Sequence, residues 1–365
     1  MAGTETYTLN MGPQHPSTHG VLRVQLELDG ENIISATPIM GYLHRGVEKM
    51  LENRTYVQGV PYTDRLDYVS SMNNNFGYCR AVEELAGIEV PERAEYIRVI
   101  VAELNRIASH LVFIGSLAID LGASTGMLYT FRDREEILDL FNLVCGARMT
   151  FHYIRIGGVN RDVQPEFIEK TYKFLEHVPE FMEEYKKILL GNEIFMSRLK
   201  GISKLSQETA LSHNMTGPNI RATGIPYDIR KVDGYSVYPK FDFNVVTGKN
   251  GDNWDRFNVR YNEIFESAKI VKQALDGLPE GPFMAKVPKV LRPPKGEVFS
   301  RTEGTRGELG FYIVSDGSTK PYRVHIRRPS FVNMQGLNDM CKGYLIGDSV
   351  AAFSAIDPLM GEVDC

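Results

Sequence analysis

The sequence predicts an α+β fold in which small β-structures near the two ends of the chain flank a central helical bundle. Three patterns predict it: apolar and polar residues alternate over 22–28, apolar residues recur at helical spacing in the middle of the chain, and alternation returns over 322–327. Segregated strands and helices are typical of α+β folds, because α/β folds alternate the two along the chain. No stretch has the composition of a linker, so we expect one unit.

This unit is expected to have three parts. An N-terminal β region covers 1–40, a mainly helical bundle covers 41–280, and a C-terminal β region with a tail covers 281–365. In the first part, Leu22–Leu28 alternates without a fault and Asp29–Asn32 supplies turn residues ahead of the next apolar pair. This pattern predicts a half-buried hairpin.

Four stretches in the middle of the chain show the spacing of an amphipathic helix. The clearest begins after Pro91, because proline is favoured in a first helical turn, and it continues to Leu111. The other three stretches are 132–144, 165–190 and 261–275. Gly277 is the expected C-cap of the helix predicted over 261–275.

The most apolar stretch is 107–131, and Asp120 is its only residue ionised at neutral pH. Its length would be sufficient to cross a bilayer. However, it contains several glycines and serines together with His110, and an acid at the middle of a bilayer costs roughly 2.5–3.5 kcal/mol. We therefore expect a buried core segment.

The C-terminal region begins with a proline-rich loop. Five prolines between Gly277 and Lys295 predict an ordered crossing segment without ladder hydrogen bonds. Phe311–Val314, the turn residues 315–318 and the alternating stretch 322–327 then predict a second hairpin.

Composition excludes several classes of protein. The 365 residues are 43% apolar and 24% charged, which is typical of a folded globular chain. The formal charge of −5 gives no electrostatic footprint for nucleic acid. The four cysteines form no CxxC pair, so spacing predicts neither a disulfide framework nor a metal site. The first residues lack a basic and then apolar leader, which favours a cytoplasmic location.

A loop from Met11 to Gly20 concentrates two histidines, His15 and His19, directly ahead of the first predicted strand. Imidazole exchanges protons near neutral pH with little tuning, so these histidines are candidates for proton transfer. An equally simple alternative is that both hydrogen-bond the turn backbone. Two further segments, 41–49 and 61–70, are dense in tyrosine, arginine and carboxylate side chains.

Together with Asp120, these segments resemble the family of the 49-kDa (or D) subunits of bacterial NADH-quinone oxidoreductase, respiratory complex I. The resemblance extends from about residue 8 to the last residue. It is carried by GPQHPSTHGVLR, GYLHRGVEK, PYTDRLDY, ELNRIASHL, YIRIGGV, RGELG and DPLMGEVD.

The family is related to the large subunit of nickel–iron hydrogenases, which implies a fold of that kind. Those enzymes hold their metals with four cysteine thiolates, and a low-valent metal centre requires such soft ligands. At the four corresponding positions this chain has Asp67, Ser70, Leu359 and Glu362. The resemblance therefore implies that no nickel–iron site assembles and that the cavity holds a quinone headgroup instead.

The resemblance implies catalytic roles for three residues. Tyr68 and His19 fall on the headgroup tyrosine and histidine, each placed to donate to one quinone carbonyl as negative charge develops there. Asp120 matches an aspartate that partners this histidine. For Asp120, a helix-capping or salt-bridging role is the alternative.

Arg45 matches an arginine close to the terminal 4Fe–4S cluster, which is carried by the neighbouring B subunit of the complex. A fixed cation there would stabilise the reduced cluster. Arg65, in the PYTDRLDY motif, is expected behind it. For Arg45, an ion pair with Glu48 or Asp67 is the alternative.

Two residues depart from the family pattern. Many members have a histidine beside the cluster where this chain has Thr150, which cannot take up a proton. We therefore expect a low, nearly pH-independent midpoint potential, which suits menaquinone better than ubiquinone. The chain ends in Cys365 instead of the usual arginine, and we expect this thiol to be inert.

The implied function is that of the quinone-site subunit of a proton-translocating complex, active only within the assembly and binding no cofactor alone. Implied partners are the B, C, I and H subunits of complex I, with indirect, peripheral contact to the cytoplasmic side of the cell membrane. Alternatives are the same subunit in a machine fed by ferredoxin or reduced deazaflavin (F420), and a catalytically silent scaffold. A stand-alone hydrogenase ranks last because the thiolates are missing.

Overall fold

The computed structural model describes residues 6–14 and 20–365, and it confirms the α+β class. Small antiparallel sheets lie toward the two ends of the sequence, and long helices fill the middle. In these two described ranges there are eight strands: β1 Thr6–Met11, β2 Arg23–Asp29, β3 Asn32–Ile39, β4 Ile154–Arg155, β5 Gly158–Val159, β6 Gly296–Glu303, β7 Glu308–Ser315 and β8 Arg323–Arg327.

Five long helices occur among the fifteen α-helices in the described residues. The long ones are α3 Ser71–Ala86, α4 Glu92–Asp120, α5 Ser124–Cys145, α6 Pro165–Tyr185, which is extended by a π-helical turn Lys186–Leu190, and α11 Asn253–Asp276. The remaining helices are α1 Val47–Glu52, α2 Tyr56–Thr63, α7 Glu193–Ser197, α8 Gln207–Ser212, α9 Pro218–Ala222, α10 Ile229–Val232, α12 Pro329–Asn333, α13 Leu337–Cys341, α14 Ile346–Ile356 and α15 Met360–Val363, with short 3₁₀ turns at Tyr238–Lys240 and Met334–Gly336.

The predicted N-terminal hairpin is present as β2 and β3, with a bulge between Glu27 and Leu28. The sheet has a third strand, because β1 pairs with β2 along its whole length. The sequence analysis did not predict β1, although Tyr7, Leu9 and Met11 alternate with polar residues along it. Tyr7 and Leu9 are exposed on this edge strand, and Met11 packs against the neighbouring hydrophobic cluster.

Helix α4 is the central element of the bundle, and it packs against both α5 and α11. Nearly all its residues after Tyr96 are buried, as expected for a helix covered on every side. The apolar segment 107–131 is the end of α4, a tight turn and the start of α5. Its first part, up to Ala118, is almost entirely buried, which confirms the prediction of a core segment there. The prediction is wrong for the rest, because most residues of 119–131 are exposed or half-buried and Leu128 is 73% exposed. Within the described ranges, every helix is too short or too polar to cross a bilayer.

The C-terminal hairpin is present as β7 and β8, and β6 extends it to a three-stranded sheet. The proline-rich stretch 277–295 contains no helix or strand, as predicted. The expectation that it makes no ladder hydrogen bonds is wrong at one place, because it forms an isolated antiparallel bridge to β5 between Met284 and Gly158. It contacts α4 where Arg93 donates to the Pro279 carbonyl oxygen at 2.7 Å. Gly277 caps α11 as expected.

The end of the chain folds back into the molecule. Helices α12 to α15 follow the last sheet, and residues 351–365 are all buried. Side chains from α14 and α15, among them Phe353, Met360 and Val363, pack with Leu22 and Leu26 of the N-terminal sheet in one hydrophobic cluster. This return brings the last residues of the chain beside the segment that carries Tyr68.

Candidate functional site

A cleft of about 320 Å³ lies where α4, the turn after α2 and the C-terminal segment meet. It brings together two of the three predicted catalytic residues, Tyr68 and Asp120, which are far apart in the sequence. Its other lining residues are Val69, Val112, Ser116, Ile119, Met127, Arg306, Asp357, Pro358 and Leu359. The apolar walls and few polar groups are typical of a small-molecule site.

Tyr68 lies in the short turn between α2 and α3, and its side chain is 36% exposed. The turn is held by Asp67, whose Oδ1 accepts hydrogen bonds from the backbone N–H groups of Val69 and Ser70 at 3.1 and 3.0 Å. Gly361 packs against the turn so closely that a Cβ there would lie 2.8 Å from the Leu66 carbonyl oxygen. Any larger residue at 361 would therefore push the C-terminal segment away from Tyr68.

The phenol of Tyr68 is a neutral hydrogen-bond donor at physiological pH. Burial raises its pKa above the usual value of 10, the nearby Arg306 guanidinium acts in the opposite direction, and Asp67 raises it further. A neutral phenol beside a fixed cation can donate a hydrogen bond to an oxygen that becomes negative, and can then transfer its proton.

Asp120 is the last residue of α4, and its carboxylate accepts a hydrogen bond from the Ser354 hydroxyl of α14. At the C-terminal end of a helix a carboxylate opposes the macrodipole and cannot act as an N-cap. Asp120 therefore does not N-cap α4.

The third predicted catalytic residue, His19, lies outside the described residues. Gly20, the next residue along the chain, is described, and a Cβ built on it would lie 3.7 Å from Cγ of Met360 in α15. Gly20 therefore lies beside the C-terminal segment that forms one wall of the cleft.

Three of the four positions that correspond to hydrogenase thiolates carry polar side chains with clear partners. Asp67 forms a buried ion pair with Arg306, with 2.5 Å between Oδ2 and Nη1. Glu362 accepts a hydrogen bond from the Ser330 N–H at 3.1 Å and another from the Ser330 hydroxyl. The hydroxyl of Ser70 accepts a hydrogen bond from Asn73 at 2.9 Å. Leu359, the fourth, lines the cleft.

The cysteines carry thiols rather than thiolates. Burial raises the pKa of Cys341 and Cys365 to about 12, and it also raises the pKa of Cys79 and Cys145. Iron–sulfur clusters require several converging thiolates. Among the described residues, the side chains close enough together to share a metal ion, Asp133, Glu136 and His177, include no cysteine.

Arg45 and Arg65 come together at a second, more open cleft of about 530 Å³. The Arg45 guanidinium donates to the Arg65 carbonyl oxygen at 2.8 Å, and Arg65 donates to the Pro61 carbonyl oxygen at 2.6 Å. The cleft is also lined by Met50, Arg54, Gln58 and Tyr62.

The ion-pair alternative for Arg45 is wrong for the described residues. Glu48 pairs with Arg323 and His325, and Asp67 pairs with Arg306. The positive charge of Arg45 therefore faces an open surface, where it suits an anionic group on a partner.

Sequence reasoning missed Asp64, a buried acid next to Arg65. Neither of its carboxylate oxygens accepts a well-aligned hydrogen bond in the described part of the chain, and it pairs only loosely with Arg65, with 3.6 Å between Nη1 and Oδ2. Burial raises the pKa of Asp64 to about 7. The His152 backbone, Arg65 and the Asn75 side chain have smaller lowering effects on this pKa, and the backbone and amide donors lie near the carboxylate in poor alignment. A carboxyl group in PYTDRLDY carries no sequence signal of its burial, so only the structure identifies it.

The segment around Thr150 is neither helical nor extended. Thr150 and His152 both have positive φ, at 53° and 46°, a region that few residues other than glycine adopt. As a result the His152 ring is half-buried within electrostatic range of Arg65. Burial, Arg155 and Arg65 lower the pKa of His152 below 6.5, so this ring is neutral at physiological pH.

A buried network of charges, which we call the core charge network, was also missed. Arg221 contacts Glu263 and Glu303, each at 2.7 Å, and Arg230 contacts Asp228 at 2.6 Å and Glu103 at 3.0 Å. The complete set is Glu103, Arg106, His110, Arg221, Asp228, Arg230, Glu263 and Glu303. These residues join α4, α9, α10, α11 and β6, so the network fixes the bundle against the C-terminal sheet.

The geometry defines an α+β protein with one candidate small-molecule cleft, lined by a phenol, a carboxylate and an arginine, and a second cleft lined by arginines. Family comparison identifies its class. The chain matches the family of the respiratory-chain NADH dehydrogenase 49-kDa subunit over residues 120–293 and 287–365.

Curated relatives are similar over nearly their whole length. The D subunit of NADH-quinone oxidoreductase from Desulforamulus reducens is 55% identical over 361 residues, 99% of both chains. The proteins of the same name from Carboxydothermus hydrogenoformans and Clostridium beijerinckii are 53% and 54% identical, covering 100% and 99% of this chain and 100% and 98% of their own length. The chain belongs to this family, the 49-kDa or D subunits of complex I.

Proposed function

We propose that this chain is the quinone-site subunit of a proton-translocating NADH-quinone oxidoreductase and that the Tyr68–Asp120 cleft holds the quinone headgroup. The observation that carries the proposal is the convergence of Tyr68, Asp120 and Arg306 on one apolar-walled cleft. The expected substrate is menaquinone. Electrons come from the terminal 4Fe–4S cluster of the neighbouring B subunit.

The chemistry follows from where charge develops. Adding two electrons to a quinone places negative charge on its two carbonyl oxygens, and donors aimed at those oxygens stabilise it. Tyr68 donates to one oxygen and gives up its proton, while the Arg306 guanidinium stabilises the phenolate that remains. His19, oriented by Asp120, serves the second oxygen.

Electrons enter at the second cleft, which is lined by Arg45 and Arg65 and which we call the cationic cleft. Two guanidinium groups on an open surface stabilise a partner group that gains negative charge on reduction. The B subunit is the partner expected there, and the C, I and H subunits complete the surroundings. Membrane contact is then made through partner subunits, on the cytoplasmic side.

We expect His19→Ala to reduce quinone reduction by about 10²-fold or more, because proton donation by a positioned imidazole contributes about that much. The measurement is quinone reductase activity per assembled complex in membranes. His213→Ala is the matched control, since His213 pairs with Asp339 at the surface instead of lining the cleft. Equal activity losses in the two variants would contradict the role of His19.

Asp64 changes the expectation of a nearly pH-independent cluster potential. An acid with a pKa of about 7 next to Arg65 is protonated below pH 7 in both redox states, so the potential is flat there. Above pH 7 the reduced cluster favours proton uptake by Asp64, so we expect the midpoint potential to fall as the pH rises. Asp64→Asn should give a flat profile.

A redox titration of the cluster between pH 5.5 and 9 measures this profile, with the Thr150 site left unchanged. A slope that persists in Asp64→Asn would assign the proton uptake to another group. No slope in the native complex would support the expectation based on Thr150 alone.

A further inference from the structure

Three buried carboxylates surround Arg306 near Tyr68. We call this group the carboxylate cluster; its members are Asp67, Asp357 and Glu362. Arg306 is buried and makes its two shortest contacts to Asp67 at 2.5 Å and to Asp357 at 3.0 Å. Arg260 approaches Asp357 only to 3.8 Å. The acids outnumber the cations, so full ionisation would leave negative charge in a dry site.

Glu362 is the member whose charge is least compensated. Its carboxylate is bonded by the N–H and hydroxyl of Ser330, which are neutral donors, while both guanidinium ends of Arg306 are used by Asp67 and Asp357. The titratable and charged groups that face Glu362 are Asp67, Arg306 and Cys365. Burial and then the negative charge of Asp67 raise the pKa of Glu362 to about 7, although Ser330 and Arg306 oppose the shift.

A second observation is that the carboxylate cluster directly adjoins the Tyr68–Asp120 cleft. Arg306 and Asp357 form part of the cleft wall, and Oδ2 of Asp357 is buried without a hydrogen-bond partner in the described residues. Asp67 precedes Tyr68 in the chain, and both Asp67 and Arg306 act on the Tyr68 phenol electrostatically. Gly361, which precedes Glu362, lies against the Tyr68 ring.

We propose that Glu362 stores the proton that restores Tyr68 after Tyr68 has donated its own proton to the quinone. The inference rests on the proposed function. Two electrons from the cluster of the neighbouring subunit and two protons convert quinone to quinol. The Tyr68 O–H bond breaks as an O–H bond forms on one quinone oxygen, and the second proton reaches the other oxygen by the route given under the proposed function. The Glu362 O–H bond then breaks, the Tyr68 O–H bond forms again, and the Glu362 carboxylate recovers a proton from solvent.

The positions that correspond to hydrogenase metal ligands would thus hold a proton in this chain. Burial raises the pKa of Asp67 too, but its 2.5 Å pair with Arg306 favours the charged form. Glu362, bonded to neutral donors, is the member that exchanges the proton. Arg306 stabilises the transient phenolate of Tyr68 until the proton arrives.

The test is the pH profile of quinone reductase activity in the intact complex carrying Glu362→Gln. Glu362 donates only when protonated, so native activity should fall as the pH rises through about 7. The glutamine variant should assemble normally, lose about 10²-fold of the activity at pH 6 and show no such fall. Glu362→Asp, which keeps a carboxyl group, should recover part of the activity and the falling limb.

Ser330→Ala is the matched variant, because it removes a donor that favours the charged form of Glu362 without removing the carboxyl group. Its falling limb should move to higher pH. Three results would each overturn the inference. Glu362→Gln could keep native activity and the native pH profile, or it could lose activity only in proportion to the amount of assembled complex. The third is a Ser330→Ala variant whose activity falls over the same pH range as that of the native complex.

These outcomes are separable from failure of the proposed function. If Tyr68→Phe abolishes activity while Glu362→Gln has native activity, the proposed quinone site is supported and the proton-storing role of Glu362 is contradicted. If both variants are fully active, the proposed quinone site is contradicted as well.

Discussion

Tyr68→Phe is expected to lower quinone reduction by about 10²–10³-fold, the usual cost of removing one hydrogen-bond donor from a charge that develops in the transition state. The substitution removes only the phenolic oxygen. The ring still packs against Gly361, and the turn is still held by the Asp67 carboxylate, so the fold and the assembly should survive. The measurement is quinone reductase activity per assembled complex, together with cluster reduction by the electron donor.

Cluster reduction should be normal in this variant, because electrons reach the cluster before they reach the cleft. Tyr322→Phe is the matched control: this tyrosine is 70% exposed on the C-terminal hairpin, away from the cleft, and its variant should keep full activity. Loss of assembled complex in parallel with activity in Tyr68→Phe would show that Tyr68 is structural and would favour the scaffold alternative.

Arg221→Met is expected to destabilise the chain by about 3–5 kcal/mol, because it removes one partner from a buried ion pair and leaves the other unpaired. Arg221 is fully buried and contacts Glu263, Glu303 and the Tyr227 carbonyl oxygen. Methionine has no charge with which to compensate Glu263 and Glu303. We expect a lower unfolding temperature and a lower yield of assembled complex, measured by thermal unfolding and by native electrophoresis.

Lys269→Met is the control for this prediction. Lys269 pairs with Asp242 at 2.6 Å on the surface, where such pairs contribute about 0–1 kcal/mol. Similar destabilisation in the two variants would show that the core charge network adds no more than a surface pair.

The core charge network also makes the stability of the fold depend on pH. The neighbouring arginines lower the pKa of Glu103 and of Asp228 to about 2, despite burial, which acts in the opposite direction. A carboxyl group with a folded-state pKa below its unfolded value contributes stability that is present above the unfolded pKa and is lost as the pH falls toward the folded one. These groups therefore stabilise the fold fully at neutral pH and lose their contribution in acid.

Local patterns predicted much of the fold. The β2–β3 and β7–β8 hairpins and four of the five long helices follow from periods of two and of three to four residues. Helix α3, Ser71–Ala86, was missed. The outer strands β1 and β6 were missed. β1 was missed although Tyr7, Leu9 and Met11 alternate with polar residues, and β6 was hidden behind the proline-rich loop that precedes it.

The candidate site was less accessible to sequence reasoning. Periodicity says nothing about the meeting of Tyr68 with Asp120, and only the family resemblance predicted it. Asp64 and Glu362 look like any other acids in the sequence. Their proton affinity depends on burial and on which cations are already paired, and both are properties of the tertiary structure.

The central claim is that the Tyr68–Asp120 cleft receives a quinone headgroup, and a structure of the intact assembly with a bound quinone tests it most directly. We predict a headgroup carbonyl oxygen at about 2.6–3.2 Å from the Tyr68 hydroxyl, beside Arg306 and open toward the membrane subunits. A headgroup bound elsewhere, with the Tyr68 hydroxyl facing only protein, would contradict the account.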